Sequence, residues 1–358
     1  MVPSNNRIIV ASAGSGKTST IIERACASPM SRAALVTYTT NNTSGIERLI
    51  YQKVGYIPPH LTISSWYSFL LRHLVRPYQR AMHPKPVKRL HFHNGISARY
   101  SSESDIGNHY FGAQGCIYVD KVSKFACQLI QKTKGASIRR MELIFDHLYI
   151  DEVQDLAGWD LELVETLMKS RIGVTLVGDH RQATFSTNSA FKNKQYSGAK
   201  IILKFEEWKK AKLCELEFQT ISHRCVQPIC DFADRLYPGL PKTQSMNSTV
   251  TVHDGVFAVR QQDVGAYMLR YEPQTLRYSR VTRDVPGTPI NYGAAKGMTF
   301  ERTLLFTNLK LRKFLLSGKP EDAGDIAKTY VAITRARQST AFVIADNAKS
   351  PLMQVFQP

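Results

Sequence analysis

The chain has 358 residues, enough for a sizeable buried core and two domains. Its 47 lysines and arginines outnumber 29 acidic residues, and the formal net charge of +18 points to a polyanionic partner, most simply nucleic acid. No apolar run approaches the ~18 residues of a membrane span, no leader-like start is evident, and six scattered cysteines form no C-x-x-C pair. These features argue against a membrane protein or a zinc ribbon and for a reducing, cytoplasmic setting with free thiols.

Ile8-Ile9-Val10 reads as a buried strand, and Ser19 to Ala25 as the first turns of a helix. Between them lies Ala11-Ser12-Ala13-Gly14-Ser15-Gly16-Lys17-Thr18. Strand, glycine-rich turn, Lys-Thr and helix form the context of a phosphate-binding loop. Gly14 and Gly16 let the backbone N–H groups of Ala13 to Ser19 curl towards an anion, and the helix N-terminus adds partial positive charge. Lys17 supplies a point charge for the β- and γ-phosphates of ATP, and Thr18 a hydroxyl for Mg²⁺.

Ala33 to Val36 reads as a second strand ending in the polar Thr37-Tyr38-Thr39-Thr40, with a helix starting near Thr43. Leu61 to Ser65 is strand-like and gives way to an aromatic helix start, Trp66-Tyr67-Ser68-Phe69. Strands alternating with helices predict a doubly wound parallel sheet, an α/β fold whose ligands gather at the carboxyl ends of strands. Residues 77–140 have weaker strand signals and many basic residues, among them Arg80, Lys85, Lys88, Arg89, Lys132 and Lys134, and read as an insertion with a basic face. His91 and His93 alternate there as solvated strand residues rather than a metal pair.

His147 to Ile150 is an apolar strand ending in Asp151-Glu152-Val153-Gln154-Asp155. Beside a phosphate loop, Asp151 would hold Mg²⁺ and Glu152 would polarise the attacking water. Val174 to Val177 is another strand, and Gln182 beyond it can sense the γ-phosphate. A composition shift at 206–210 places a domain boundary, giving domains 1–210 and 211–358. The second is read as a strand from Leu213 to Phe218, Ser222-His223-Arg224-Cys225, a helix from Pro228 to Leu236, and short strands and turns over 238–290. A loop, Tyr292 to Phe300, and a strand, Thr303 to Phe306, come next. A helix from Thr329 to Arg337 and a last strand, Ala341 to Ile344, close the chain.

This ordered set resembles superfamily 1 helicases of the UvrD/Rep type across nearly the whole chain. Ala11–Thr18 is similar to the family's first motif, which also favours alanine at the Ala11 position. Val36-Thr37-Tyr38-Thr39, Ser65-Trp66-Tyr67-Ser68-Phe69, Asp151–Asp155 and Val177-Gly178-Asp179 with Gln182 resemble the next four. Ser222–Cys225, Ala295-Lys296-Gly297 with Phe300, and Tyr330-Val331-Ala332 with Thr334-Arg335-Ala336 resemble the last three. The resemblance implies two RecA-like P-loop domains with ATP and Mg²⁺ between them. The catalytic residues would be Glu152, Gln182, Arg224 and Arg335, and Gly297 would join the nucleotide-binding set. Thr37, Tyr38, Trp66, Phe69 and Phe185 would contact single-stranded or partly duplex DNA, along which the family moves from 3′ to 5′.

Several positions depart from that pattern. Too few residues precede the loop for the family's adenine-reading glutamine motif, so base selectivity stays open. Phe185 replaces a tyrosine, Thr187 stands where a base-stacking aromatic is common, and Thr299 replaces the glutamate that helps hold nucleotide. Asn291 and Gly293 replace the usual Thr and His, the first-domain insertion is short, and the large second-domain insertion is essentially missing. Such a compact form is similar to the helicase subunits that accompany nucleases in antiviral systems of the Gabija type, with anti-phage defence or DNA repair as settings. The resemblance leaves two functions: a DNA translocase or helicase, and a DNA-sensing ATPase subunit that switches a partner nuclease without unwinding. A phosphate-loop kinase would leave the two arginine motifs idle.

Overall fold

The computed structural model describes residues 5–93, 95–187, 190–348 and 351–358. They divide into two compact units, one of Met1–Val10, Lys17–His180 and Phe185–Phe218, the other of Ala11–Gly16, Arg181–Thr184 and Gln219–Pro358.

In the first unit the chain runs β1 (Arg7–Ala11), α1 (Lys17–Cys26), β2 (Ala33–Thr37), α2 (Thr40–Val54), β3 (Leu61–Ser65) and α3 (Trp66–Leu70). Next come β4 (Arg89–His91), α4 (Ile106–Tyr110), β5 (Cys116–Tyr118), α5 (Val122–Lys132) and α6 (Ala136–Glu142). The unit ends with β6 (His147–Ile150), α7 (Trp159–Met168), β7 (Gly173–Gly178), α8 (Ile201–Lys210) and β8 (Glu215–Gln219). Six strands form a parallel sheet in the order β3-β2-β6-β7-β1-β8. Every residue of β2 and β7 is buried, so both faces of these strands are covered and their side chains are small or branched throughout. Helix α2 starts where the Thr39 hydroxyl accepts the Asn42 N–H at 3.2 Å, and it stops at Gly55 in the left-handed region.

The insertion is not a separate body. Tyr110, Phe111, Ile117, Val122 and Phe125 belong to the same apolar core as Ile8, Val36 and Leu148 of the sheet. Its own strands, β4 and β5, form a two-stranded parallel pair. Arg80, Lys85, Lys88, Arg89, Lys132 and Lys134 are exposed, as a basic face requires.

The second unit contains β9 (Ile221–Ser222), α9 (Gln227–Asp234), β10 (Gln244–Ser245), β11 (Gly255–Arg260), α10 (Val264–Tyr271), β12 (Gln274–Arg277) and β13 (Ile290–Asn291). It continues with β14 (Phe300–Phe306), α11 (Leu309–Ser317), α12 (Ile326–Ile333), β15 (Ala336–Ile344) and β16 (Gln354–Val355). Its six-stranded sheet is parallel, in the order β13-β12-β14-β15-β11-β16. The fold is therefore α/β with two RecA-like parallel sheets, as the alternation of elements predicts.

Three elements differ from the sequence reading. The strand read at 213–218 and assigned there to the second domain is β8, Glu215–Gln219, at the edge of the first sheet, where the Glu215 N–H donates to the Asn6 carbonyl at 3.0 Å. The short strands and turns of 238–290 include a two-turn helix, α10, whose Gly265 and aromatic residues weaken its local signal. The helix expected to reach Arg337 ends at Ile333, and β15 begins at Ala336, because residues 336–344 find parallel partners on both sides.

His73 packs between Phe69 and Phe145, each ring centroid 4.9 Å away, and neither ring nitrogen has a partner among the described residues. Burial, helped by Arg140 and Arg72, pushes its pKa down to about 4. The unfolded chain takes up this proton near pH 6.5 and the folded chain only near 4, so His73 removes stability as pH falls through that window. His73→Phe is expected to keep the aromatic packing, raise the melting temperature, and flatten its fall between pH 6.5 and 4. A variant with the unchanged slope would contradict the buried neutral imidazole.

Candidate nucleotide site

Within the first unit, α1 begins at Lys17, directly after the glycine turn. The Lys17 ammonium lies 3.5 Å from Glu152, and both side chains are largely buried. The Thr18 hydroxyl donates to Asp151 at 2.7 Å. Burial and the neighbouring Glu152 carboxylate push the Asp151 carboxyl up to about 6, against the pull of Lys17 and Thr18. Lys17, Thr18, Asp151 and Glu152 thus form one cluster at the carboxyl ends of β1 and β6. Ser19 is exposed in the first turn of α1.

Glu152 sits in the left-handed region, φ 56°, an uncommon conformation for a residue with a side chain. Its N–H donates to the Asp151 carboxylate at 2.8 Å, and its own carboxylate accepts from the Gln154 amide. The Gln154 carbonyl oxygen accepts the Asp179 N–H at 3.0 Å. Gln154 therefore ties the end of β6 to the end of β7. A Cβ on Gly178 would stand 2.2 Å from that oxygen, so glycine is required there by close approach. The sequence reading assigned Gln154 no task, because the Asp179 N–H that it accepts lies 25 residues away.

Within the second unit, residues 11–16 of the loop run beside the Ser222–Arg224 segment. The His223 N–H donates to the Gly14 carbonyl at 2.9 Å. Gly14 has φ 76°, and a Cβ there would stand 2.5 Å from the Arg224 Cβ. Gly16 has φ 77° but open space around the missing Cβ. The Arg224 guanidinium donates to the Thr334 carbonyl at 3.1 Å. Arg335, 1% exposed, donates to Gln182 at 2.9 Å, to the Val331 carbonyl at 3.0 Å and to the Met298 carbonyl at 3.3 Å. Gln182 and Arg335, 153 residues apart in sequence, thus share one buried hydrogen bond. Ala13 is buried in this unit's core, and Gly297 turns at φ 85° in open space.

Arg181 is a second buried arginine that the sequence reading passed over. It pairs with Asp234 at 3.3 Å, lies over the Tyr330 ring at 4.9 Å, and its carbonyl accepts the Tyr237 hydroxyl at 3.1 Å. A buried arginine retained with its aspartate fixes the segment that carries Gln182.

The expected DNA contacts divide. Tyr38 is half-buried with its ring edge-on to Tyr67 at 5.8 Å, and Phe185 is 52% exposed. Thr37, Trp66 and Phe69 are buried. The Trp66 indole N–H donates to Asp160 at 2.7 Å, and Phe69 fills the core beside Phe145. Thr187 is also buried: its hydroxyl donates to Asp160 and accepts the Ala157 N–H at 2.9 Å, and its N–H donates to the Asp155 carbonyl at 2.9 Å. The residue standing where an aromatic was expected is therefore a structural tie.

Residues 1–188 match the model of a family described as AAA domain. The chain is similar to the crystal structure of Arterivirus nonstructural protein 10 (helicase), with 14% identity and a TM-score of 0.50, over 98% of this chain and 62% of that one. It is similar to the structure of PRRSV helicase at 15% identity and a TM-score of 0.50, over 98% of this chain and 54% of that one. At these identities the likeness is one of fold, and the chain spans 62% and 54% of those two lengths. A search of the curated proteins finds no match. No described helix is long and apolar enough to cross a membrane.

The two loop glycines make different demands. Gly16→Ala introduces only a side chain in the left-handed region, a cost of about 1–2 kcal/mol. Gly14→Ala adds the collision with Arg224 and is expected to lower the melting temperature further than Gly16→Ala. Equal losses in thermal melts would contradict the close approach.

Proposed function

The chain belongs to the AAA-domain family, and from that membership we propose that it is an ATP-driven motor on DNA, a translocase or helicase of the UvrD/Rep kind. The observation that carries this reading is the company of Gly14 and Gln182. The phosphate-loop residue lies against Arg224, and the sensing glutamine is bonded to Arg335. A kinase reading uses the loop and Asp151 but leaves both arginines without a task.

The groups present fit a magnesium nucleotide. Two glycines at positive φ turn the loop, the buried Ser15 hydroxyl has no hydrogen-bond partner among the described residues, and Lys17 supplies a cation. Thr18 and Asp151 would hold Mg²⁺, for which oxygen donors are suited. The ion would neutralise charge on the β- and γ-phosphates. Lys17 would hold those same phosphates. Glu152, fixed by Gln154 and placed beside Lys17, would orient and polarise the attacking water. Arg224 and Arg335 would offset the negative charge of the transition state, with Gln182 linking phosphate state to the segment 181–184. Movement from 3′ to 5′, a partner nuclease, and a setting in antiviral defence or DNA repair are the further parts of this proposal, by resemblance to the compact UvrD/Rep-type chains.

One observation favours the second function. Trp66, Phe69 and Thr187 are all buried in structural roles, so the expected base-stacking surface is reduced to Tyr38 and Phe185. That supports a DNA-sensing ATPase that signals to a partner without unwinding.

Lys17→Ala and Glu152→Gln are each expected to lower ATP turnover at least about 100-fold. Wild-type-like turnover in either would overturn the site. Single-stranded DNA is expected to stimulate the wild-type ATPase, with binding that weakens steeply as salt rises. Stimulation together with strand displacement supports the motor, stimulation without displacement supports the sensing subunit, and no response to DNA refutes both.

A further inference from the structure

A cavity of about 340 Å³ lies in the first unit, where the insertion meets the start of α7 and residues 190–192. Its volume is at the lower end of cavities that enclose small ligands. Its wall carries rings and cations, Trp159, Phe191, Arg99, Lys124 and Lys192, together with two carboxylates, Glu103 paired with Lys124 and Asp120 bonded to Ser97. Two ammonium groups lie over the Trp159 ring, Lys124 at 5.6 Å and Lys192 at 5.7 Å from its centroid. Phe191 is 79% exposed, an unusual position for a large apolar ring. Lys194 lies 5.4 Å from the Phe191 centroid. Lys124 pairs with Glu103, and Lys192 lies 3.4 Å from Glu162 with 45% of its side chain exposed.

Aromatic faces interleaved with lysines suit one kind of ligand better than others: an unstacked base with its phosphates. The base needs a ring to stack on and the phosphates need mobile cations nearby. A purely anionic ligand has no use for the exposed Phe191 ring, and an apolar one has no use for the lysines. We propose that this cavity holds a nucleotide of single-stranded DNA, with the base on Phe191 and Trp159 and the phosphates met by Lys192 and Arg99. The aromatic contact that Thr187 does not offer is thereby supplied from Phe191, four residues further along, and from the first turn of α7. This inference rests on the reading of the chain as a DNA-acting protein and names a subsite for it.

The chain reports on the cavity by itself. It has three tryptophans; Trp66 and Trp208 are each 1% exposed, while Trp159 lines the cavity and is half-buried. Titration of the full chain with oligothymidylate, monitored by intrinsic fluorescence and by anisotropy of a labelled oligomer, reads occupancy and binding separately. Binding is expected to change tryptophan emission in wild type and not in Trp159→Phe, which retains a stacking ring. Phe191→Ala is expected to weaken binding about tenfold, with its melting temperature unchanged because the side chain is exposed. Binding by anisotropy with silent tryptophan emission, or with wild-type affinity in Phe191→Ala, overturns the subsite while leaving the DNA-acting reading in place. No anisotropy change with the oligomer refutes that reading, and the subsite with it.

Discussion

Parallel pairing of four short strands sets the geometry on which the first unit depends. Val36 stands opposite Ile150, Ile150 opposite Leu176, and Leu176 opposite Ile8, so one line of residues crosses the sheet. All the strands run the same way, so the segments leaving their carboxyl ends emerge along one edge. Asp151 comes directly after β6, Asp179 after β7, and the glycine turn after β1. The ladder continues one step beyond β6, where the Asp151 N–H donates to the Val36 carbonyl at 2.8 Å. A slip of one residue in β6 would exchange its faces and carry Asp151 away from Thr18.

That common edge also concentrates charge. Asp151 and Glu152 are sequence neighbours, both largely buried, and the Glu152 charge adds to the desolvation that raises the Asp151 carboxyl. Lys17 and Thr18 favour the ionised form, yet the Asp151 carboxyl stays raised above its ordinary value. A divalent cation beside Thr18 and Asp151 would remove the strain by favouring the ionised carboxylate. Local cost of this kind is expected where binding, rather than folding, has shaped the residues. The left-handed Glu152 backbone belongs to the same account: it turns the carboxylate towards Lys17 and is held there by Gln154.

What was legible in the sequence was local. The glycine turn, the carboxylates after an apolar run and the alternation of strands with helices each lie within about ten residues, where backbone preference and hydrophobic pattern act directly. What was not legible depends on partners far along the chain. Trp66 and Phe69 sit at a strand end, where an exposed ring is plausible, and only the fold brings Asp160 beneath the indole and Phe145 beside the phenyl ring. Thr187 looks like a lost aromatic until Asp155, Ala157 and Asp160 are seen to hold it. Gln154 and Arg181 were overlooked for the same reason: each acts through a contact whose other half lies 25 or more residues away. Residues 213–218 carry a clear strand pattern, but the pattern does not say which sheet the strand will join.

The glycine turn shows how two identical residues in one motif answer to different constraints. Gly16 needs only the freedom of a residue without a Cβ, because no described atom lies within 4 Å of the place a Cβ would take. Gly14 needs that freedom and also the space, because the Arg224 backbone and Cβ occupy the place a side chain would take. Its carbonyl is bonded to His223 at the same point. The first part of the loop is thus shaped by residues more than two hundred positions away, while Lys17 and Thr18 answer to Asp151 and Glu152. A phosphate cradle built from a single strand–turn–helix would need neither the close approach at Gly14 nor a buried arginine on Gln182. Both bind the first part of the loop and the segment 181–184 to residues far along the chain, so neither can be read from the loop motif alone.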